Sequence, residues 1–211
     1  MSRSIATVIL FFNKPDMTKR CIESVIAAGK SLTSTMDHKI IFVNKGSTGL
    51  PIDFKNFFDQ FTRVDIPTNI GFSAGMNAGL KSAFSDQSVD LVLTLSNDIE
   101  LPSDFYSNIV SHRHFESNTI YCPHVYYLMD KSKPSYTHGC LSRETLSHHF
   151  DIDKGDIHFP EYYPAASLLW TREAFERPKG FDPDYFCYWE DVDLSGRAKR
   201  YEIKLRSAPF I

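Results

Sequence analysis

Three short stretches of this sequence combine residue types that do chemistry. Ser96-Asn97-Asp98 follows the apolar run DLVLTL at Asp90–Leu95. A carboxylate just past a buried strand can hold Mg²⁺ or Mn²⁺, hard cations that take oxygen ligands and bridge to phosphates. Asp98 equally suits a turn, or the cap of a helix opening near Pro102. The second stretch runs from Asn69 to Asn77 (NIGFSAGMN). Gly71 and Gly75 let backbone approach a ligand closely, and Ser73 or Asn69 can cap a helix whose N-terminus favours phosphate. A plain strand-to-helix turn has the same composition, and the spacing is not G-x-G-x-x-G. The third stretch is Glu190-Asp191-Val192-Asp193, directly after Tyr185-Phe186-Cys187-Tyr188-Trp189. Asp193 and Arg197 suit a surface pair four residues apart on a helix, and acids suit a helix's first turn. The aromatic run asks for another reason. Rings bind sugar faces, and they raise a nearby carboxylate's pKa by desolvation, as a general base requires.

Such groups must be carried by elements. Ile5–Phe12 reads as a strand, and Pro15–Ala28 as a helix with Met17, Cys21, Ile22, Val25 and Ile26 on one side. Lys39–Val43 is a second strand, followed by a loop punctuated by Gly46 and Gly49. Thr62–Ile66 is a short third strand, Ala74–Phe84 a helix and Asp90–Leu95 a buried parallel strand. Pro102 opens a further helix, and Ile120–Cys122 returns to strand. This alternation predicts an α/β fold with a mostly parallel central sheet flanked by helices. Ligands of such sheets bind outside the carboxyl ends of the strands, which singles out Asn13, Asn44 to Ser47, and Ser96 to Asp98. Residues 126–165 lack a clear period and predict short strands and loops. Leu168–Phe175 ends a strand and begins a helix, Glu190–Tyr201 is a helix, and Ile203–Leu205 a last strand.

The 211 residues suit one domain. A net charge of -3 without a basic run argues against a nucleic-acid partner. No stretch reaches the roughly 18 apolar residues of a membrane span. Cys21, Cys122, Cys140 and Cys187 are irregularly spaced with no C-x-x-C pair, which reads as reduced thiols in a cytoplasmic protein. His112 and His114 would point to different sides of a helix, and the adjacent His148 and His149 lack zinc spacing. Neither a G-x-S-x-G elbow nor a phosphate-binding G-x-x-x-x-G-K-[ST] loop occurs.

Taken in order, five segments resemble family 2 glycosyltransferases of the GT-A fold, most closely the rhamnosyltransferase-like branch. VILFFNKPDMTKRCIESV is similar to the family's opening strand and helix. KIIFVNKGSTG is similar to its second strand and D-N-G-S-T-D loop. NIGFSAGMNAGL resembles its N-x-G-x-x-x-x-N-x-G segment, and LVLTLSNDIELP the strand ending in a D-x-D-type metal motif. GFDPDYFCYWEDVDLSGRAKRYEIKL resembles the G-F-D-x-x-F-x-x-x-E-D-x-D-L-x-x-R segment that holds the catalytic acid. The resemblance implies an inverting, metal-dependent transferase that moves a sugar, best taken as L-rhamnose, from a UDP- or dTDP-sugar to a glycan hydroxyl. Asp98, with Mn²⁺ or Mg²⁺, would meet the donor diphosphate. Asp191 would be the general base, with Glu190 beside it and Trp189 and Tyr188 on the acceptor side. Phe12, Asn13, Asn44, Asn69, Gly71, Gly75, Asn77 and Asn97 would contact the nucleotide. Residues 1–100 would form the nucleotide-binding half and 101–211 the acceptor half, with room for further domains after 211. The chain departs from the pattern at Asn44 and Ser96, where the family usually has Asp, and it stops before a histidine that can complete the metal site. Two other readings remain: a nucleotidyltransferase, although the first loop Asn13-Lys14-Pro15 lacks its glycines, and a non-catalytic sugar-nucleotide or glycan-binding module.

Overall fold

Ile5, Ile9 and Phe11 alternate with Ala6, Val8 and Leu10, and all six are buried. A strand apolar on both faces needs cover on both. The computed structural model describes residues 3–32, 36–47, 54–112, 114–136, 138–141, 148–151 and 162–208. Gly49 and much of the stretch 142–161 lie outside these.

The strand β1 (Arg3–Phe11) sits centrally between β2 (Met36–Lys45) and β4 (Val89–Ser96), parallel to both. β3 (Phe61–Ile66) extends the sheet beyond β2, also in parallel. On the other side, β10 (Ser167–Thr171) runs antiparallel between β4 and β5 (Thr119–Pro123). β11 (Lys204–Ala208) then pairs in parallel with β5. The seven strands therefore lie in the order β11-β5-β10-β4-β1-β2-β3, mostly parallel as expected, with one reversed strand. Two hairpins stand apart from this sheet: β6 (Val125–Tyr127) with β7 (Asp130–Tyr136), and β8 (His138–Leu141) with β9 (His148–Asp151).

Helix α1 (Pro15–Gly29) and α4 (Phe105–Ser111) cover one face with Cys21, Ile22, Val25, Phe105, Tyr106 and Ile109, against Ile5, Ile9 and Phe11. The short α2 (Lys55–Phe58) follows Phe54, whose ring joins this cluster. Met17, expected inside, is exposed, and Thr18 takes the inward position with its hydroxyl on the Lys14 carbonyl. Helix α4 begins three residues after Pro102, because the chain first makes a turn in which the Phe105 amide donates to the Pro102 carbonyl. It also ends before His112, so the two histidines are not on a helix face.

The opposite face belongs to α3 (Gly71–Phe84), α5 (Arg172–Glu176) and α6 (Glu190–Arg200). A side chain at Gly79 would run into Val8 and Val43, and one at Gly75 would reach Leu10 Cδ1 at 2.8 Å. These glycines let α3 lie directly on β1 and β2. Arg172 fixes its other end, donating to the carbonyls of Phe84, Asp86 (2.9 Å) and Val89 (2.9 Å). A cation at a helix C-terminus is favourable. Trp170 is fully buried, and its indole N–H is satisfied by Thr94 Oγ1 at 3.0 Å. No described helix is long and apolar enough to cross a membrane.

At the start of β2, His38 Nε2 lies 3.0 Å from Thr7 Oγ1, and its ring is 4.5 Å from that of Tyr106. Burial lowers the imidazole pKa from 6.5 to about 4, against the opposing charge of Asp37. The unfolded chain therefore takes up this proton first, and stability present above the unfolded value is lost as pH falls toward the folded one. We expect a loss of about 3 kcal/mol between these limits, seen as a falling urea midpoint and flattened in His38→Phe. An equally steep decline in the variant would place the acid sensitivity elsewhere.

Candidate functional site

The carboxyl ends of β1, β2 and β4 bring the sequence candidates to one edge of the sheet. Phe12 and Asn13 follow β1, with Asn13 and Lys14 both in the left-handed region at φ 57° and 56°. This turn is held by the Asn13 amide on Ser47 Oγ at 3.1 Å. Asn44 supports the same corner: its carbonyl oxygen accepts from the Ser47 amide (3.3 Å) and its NH₂ donates to Asp65 (3.3 Å). The carboxylate that the resemblance expects at 44 thus stands one strand over, at Asp65, where Arg63 also pairs with it at 2.8 Å.

Asp98 lies in the turn after β4, exposed, and no described residue pairs with it. Asn97, expected on the nucleotide, instead turns its NH₂ to Thr18 Oγ1 at 2.8 Å and ties β4 to α1. Beneath the turn, burial, with added repulsion from Asp98 and Glu100, pushes the Cys21 thiol up to about 12. A cavity of about 470 Å³ opens beside Asp98, lined by His124, Tyr126, Tyr127, Leu128 and Lys131. A larger hollow of about 1110 Å³ lies at the opposite, amino edge near Ser4, Asp90 and Arg172, away from every candidate residue. Among the described residues no three His, Cys, Asp or Glu side chains gather to hold a metal ion. One carboxylate suits an ion that takes most of its ligands from phosphate and water, as Mg²⁺ commonly does, and does not suit zinc.

The segment before α3 makes the strand-to-helix turn that its composition also allowed. Asn69 Oδ1 accepts from the Gly71 amide at 3.1 Å, making the local turn. The helix N-terminus beyond it is taken by protein: the Phe72 amide donates to the Phe186 carbonyl at 2.6 Å. Gly71, at φ +88°, is required there because a Cβ would collide with that carbonyl. Gly75 serves close packing on Leu10, described above. Asn77, expected on the nucleotide, is buried, donates to the Phe181 carbonyl at 2.7 Å and accepts from the Phe181 amide at 2.9 Å. Gly180, at φ +74°, leaves room for the Asn77 carboxamide.

Arg197 completes this bracing. It donates to the carbonyls of Pro178 and Gly180, both at 2.9 Å, and pairs with Asp193 at 2.6 Å. The pair is largely shielded, at 16% and 18% side-chain exposure, and not the surface bridge that the spacing suggests. Between the two anchors, Tyr188 and Trp189 adopt φ of 70° and 69°, a costly conformation for bulky residues. Their rings face outward, with Tyr188 78% exposed and Trp189 42%. The chain then turns inward. Glu190 is 7% exposed, and its Oε2 has no hydrogen-bond partner among the described residues. Burial raises its pKa, helped by the neighbouring Asp191. Asp191 is half-buried at the helix N-terminus, with Oδ1 accepting from the Val192 amide at 2.8 Å.

Two residues at this edge escape a motif-based reading. Lys45, at the end of β2, is 8% exposed, with its ammonium 4.9 Å from the centre of the Phe12 ring. Cys187 is a free thiol whose pKa is raised by burial and by Glu190. The sequence offered only a lysine one position past the expected acid, and its burial is visible in the structure alone. The Asn77 clamp gives a first test of the site's support. Asn77→Ala strands a buried amide and carbonyl, and should cost about 2–4 kcal/mol, read from urea unfolding. A cost under about 0.5 kcal/mol would mean that the clamp contributes nothing.

Solved structures share this arrangement. GalNAc-T7 with UDP, GalNAc and Mn²⁺ superposes at a TM-score of 0.72 and 13% identity, over 99% of this chain and 43% of that one. A Pyrobaculum calidifontis mannosyltransferase with GDP-Man and Mn²⁺ gives 0.65 at 13% identity, over 97% and 54%. S. aureus TarS 1-349 with UDP gives 0.66 at 12% identity, over 97% and 57%. At such identities the likeness shows the GT-A fold alone, and this chain spans about half the length of those proteins. No curated protein matches it in sequence. The model of Glycosyl transferase family 2 matches residues 7–175, from the middle of β1 through Phe175 in α5, and the chain belongs to that family.

Proposed function

We propose that this chain is an inverting glycosyltransferase that uses a nucleotide-sugar donor and a divalent cation. The observation that carries this reading is the placement of two kinds of carboxylate at one sheet edge. Asp98 is open to solvent and unpaired among the described residues, whereas Glu190 and Asp191 are set into the N-terminus of α6 behind outward-facing rings. Residues 1–100 form the nucleotide side and 101–211 the acceptor side. The donor is a UDP- or dTDP-sugar, with L-rhamnose favoured by the family-branch resemblance, and the acceptor is a glycan. The free thiols suit the cytoplasm.

Asp191 takes the proton of the acceptor hydroxyl as its oxygen bonds to the anomeric carbon. The bond from that carbon to the diphosphate breaks on the opposite face, and its electron pair leaves with the diphosphate. Glu190 aids this division of labour. Desolvation raises its pKa, so of the two neighbours Glu190 is the less readily ionised and Asp191 the better placed to act as the base. Mn²⁺ or Mg²⁺ held by Asp98 would supply electrostatic stabilisation of the leaving diphosphate. Tyr188 and Trp189 offer ring faces to the acceptor sugar.

Thermal unfolding with UDP, Mn²⁺ and both tests the donor site, since a ligand of the native state raises the midpoint. We expect a shift with the pair well above either alone, reversed by EDTA and lost in Asp98→Ala. The absence of any shift with UDP, dTDP or GDP under any metal would remove the transferase reading. For the base, Asp191→Asn should keep donor binding and lose roughly 10²–10⁴-fold in transfer rate. Transfer at the wild-type rate would exclude Asp191.

A further inference from the structure

Lys45 has no part in the chemistry above, yet it stands inside the site. β1 and β2 pair in register with Phe11 opposite Asn44, so Phe12 and Lys45 are neighbours at the carboxyl edge. The lysine stem runs along α3, where a Cβ on Gly75 would come within 3.4 Å of its Cδ. Among the described residues its ammonium has no carboxylate, carbonyl or hydroxyl partner and lies over the face of the Phe12 ring. The acidic group that bears on it is the Cys187 thiol, which is neutral near pH 7 because its own pKa is raised. A lysine is almost never this covered without a counter-charge. Holding it so costs free energy that only an arriving anion returns.

The ligand that this edge faces supplies such an anion. A diphosphate carries more negative charge than one divalent cation on one carboxylate cancels, and Asp98 by itself repels it. We propose that the Lys45 ammonium binds phosphate oxygens of the donor's nucleoside diphosphate, as a cationic contact independent of the metal. The proposal rests on the nucleotide-sugar reading above. It gives the site two positive points, one borrowed with the metal and one built into β2.

Calorimetric titration of the whole chain with UDP, uridine and inorganic pyrophosphate, each in EDTA and in Mn²⁺, tests this on wild type, Lys45→Met and Lys45→Arg. Methionine keeps the covered stem, so the ligand-free midpoint should hold or rise. We expect Lys45→Met to lose roughly 10- to 100-fold in UDP affinity with and without Mn²⁺, the worth of one charge-assisted contact. Pyrophosphate should weaken in parallel, uridine should change less than twofold, and Lys45→Arg should retain most binding. If Lys45→Met binds UDP as wild type does, or loses uridine equally, the phosphate contact is excluded while the donor site stands. If wild type binds no nucleotide under any condition, the donor site itself falls, and this contact with it. Should Lys45→Met fail to fold, Lys45→Gln decides: a parallel loss of UDP and pyrophosphate affinity with uridine unchanged supports the contact, and unchanged pyrophosphate affinity overturns it.

Discussion

The carboxamide of Asn77 holds the two halves of this molecule in one geometry. It sits inside α3, the helix laid on β1 and β2, and grips both backbone groups of Phe181. Every residue from Gly180 to the start of α6 inherits its position from that grip and from Arg197 on the Pro178 and Gly180 carbonyls. Without them the acids of α6 would hang on a loop over an edge built by other strands. Buried hydrogen bonds of this kind contribute little net energy when made and cost much when broken, which makes them suited to fixing register.

The site that results is electrostatically unfinished. Among the described residues, Lys45 is covered without a counter-anion, Glu190 is covered without a donor for Oε2, and Asp98 is open and makes no ion pair. Groups left this way cost free energy in the ligand-free protein. Trp170 and Arg172, also covered, have their N–H groups met by Thr94 and by backbone carbonyls.

Much of this was legible from the chain itself. Continuous apolar runs at Ile5–Phe12 and Asp90–Leu95 announced central strands, because a strand buried on both faces has no polar alternation to keep. The acids after β4 and at the start of α6 were legible as candidates because one follows a buried apolar strand and the other a run of aromatic residues. What stayed hidden depends on contacts distant in sequence. Nothing local in NIGFSAGMN tells that Asn77 serves residue 181, that Gly75 serves Leu10, or that the N-terminus of α3 is closed by Phe186. The direction of β10 was equally hidden, since an isolated five-residue apolar strand reads the same both ways. Lys45 was overlooked because a lysine after a strand looks like a solvated loop residue until its burial is seen.

The consecutive left-handed residues Tyr188 and Trp189 have an evolutionary consequence. Their backbone is held from both sides, by Phe186 on α3 and by the first turn of α6, while Tyr188 and Trp189 stand 78% and 42% exposed. Such a position can exchange one large side chain for another without disturbing the helix that carries the acids. On the proposed reading, a lineage could thereby wander among acceptor sugars by altering the two outward rings while the acids behind them stay in place.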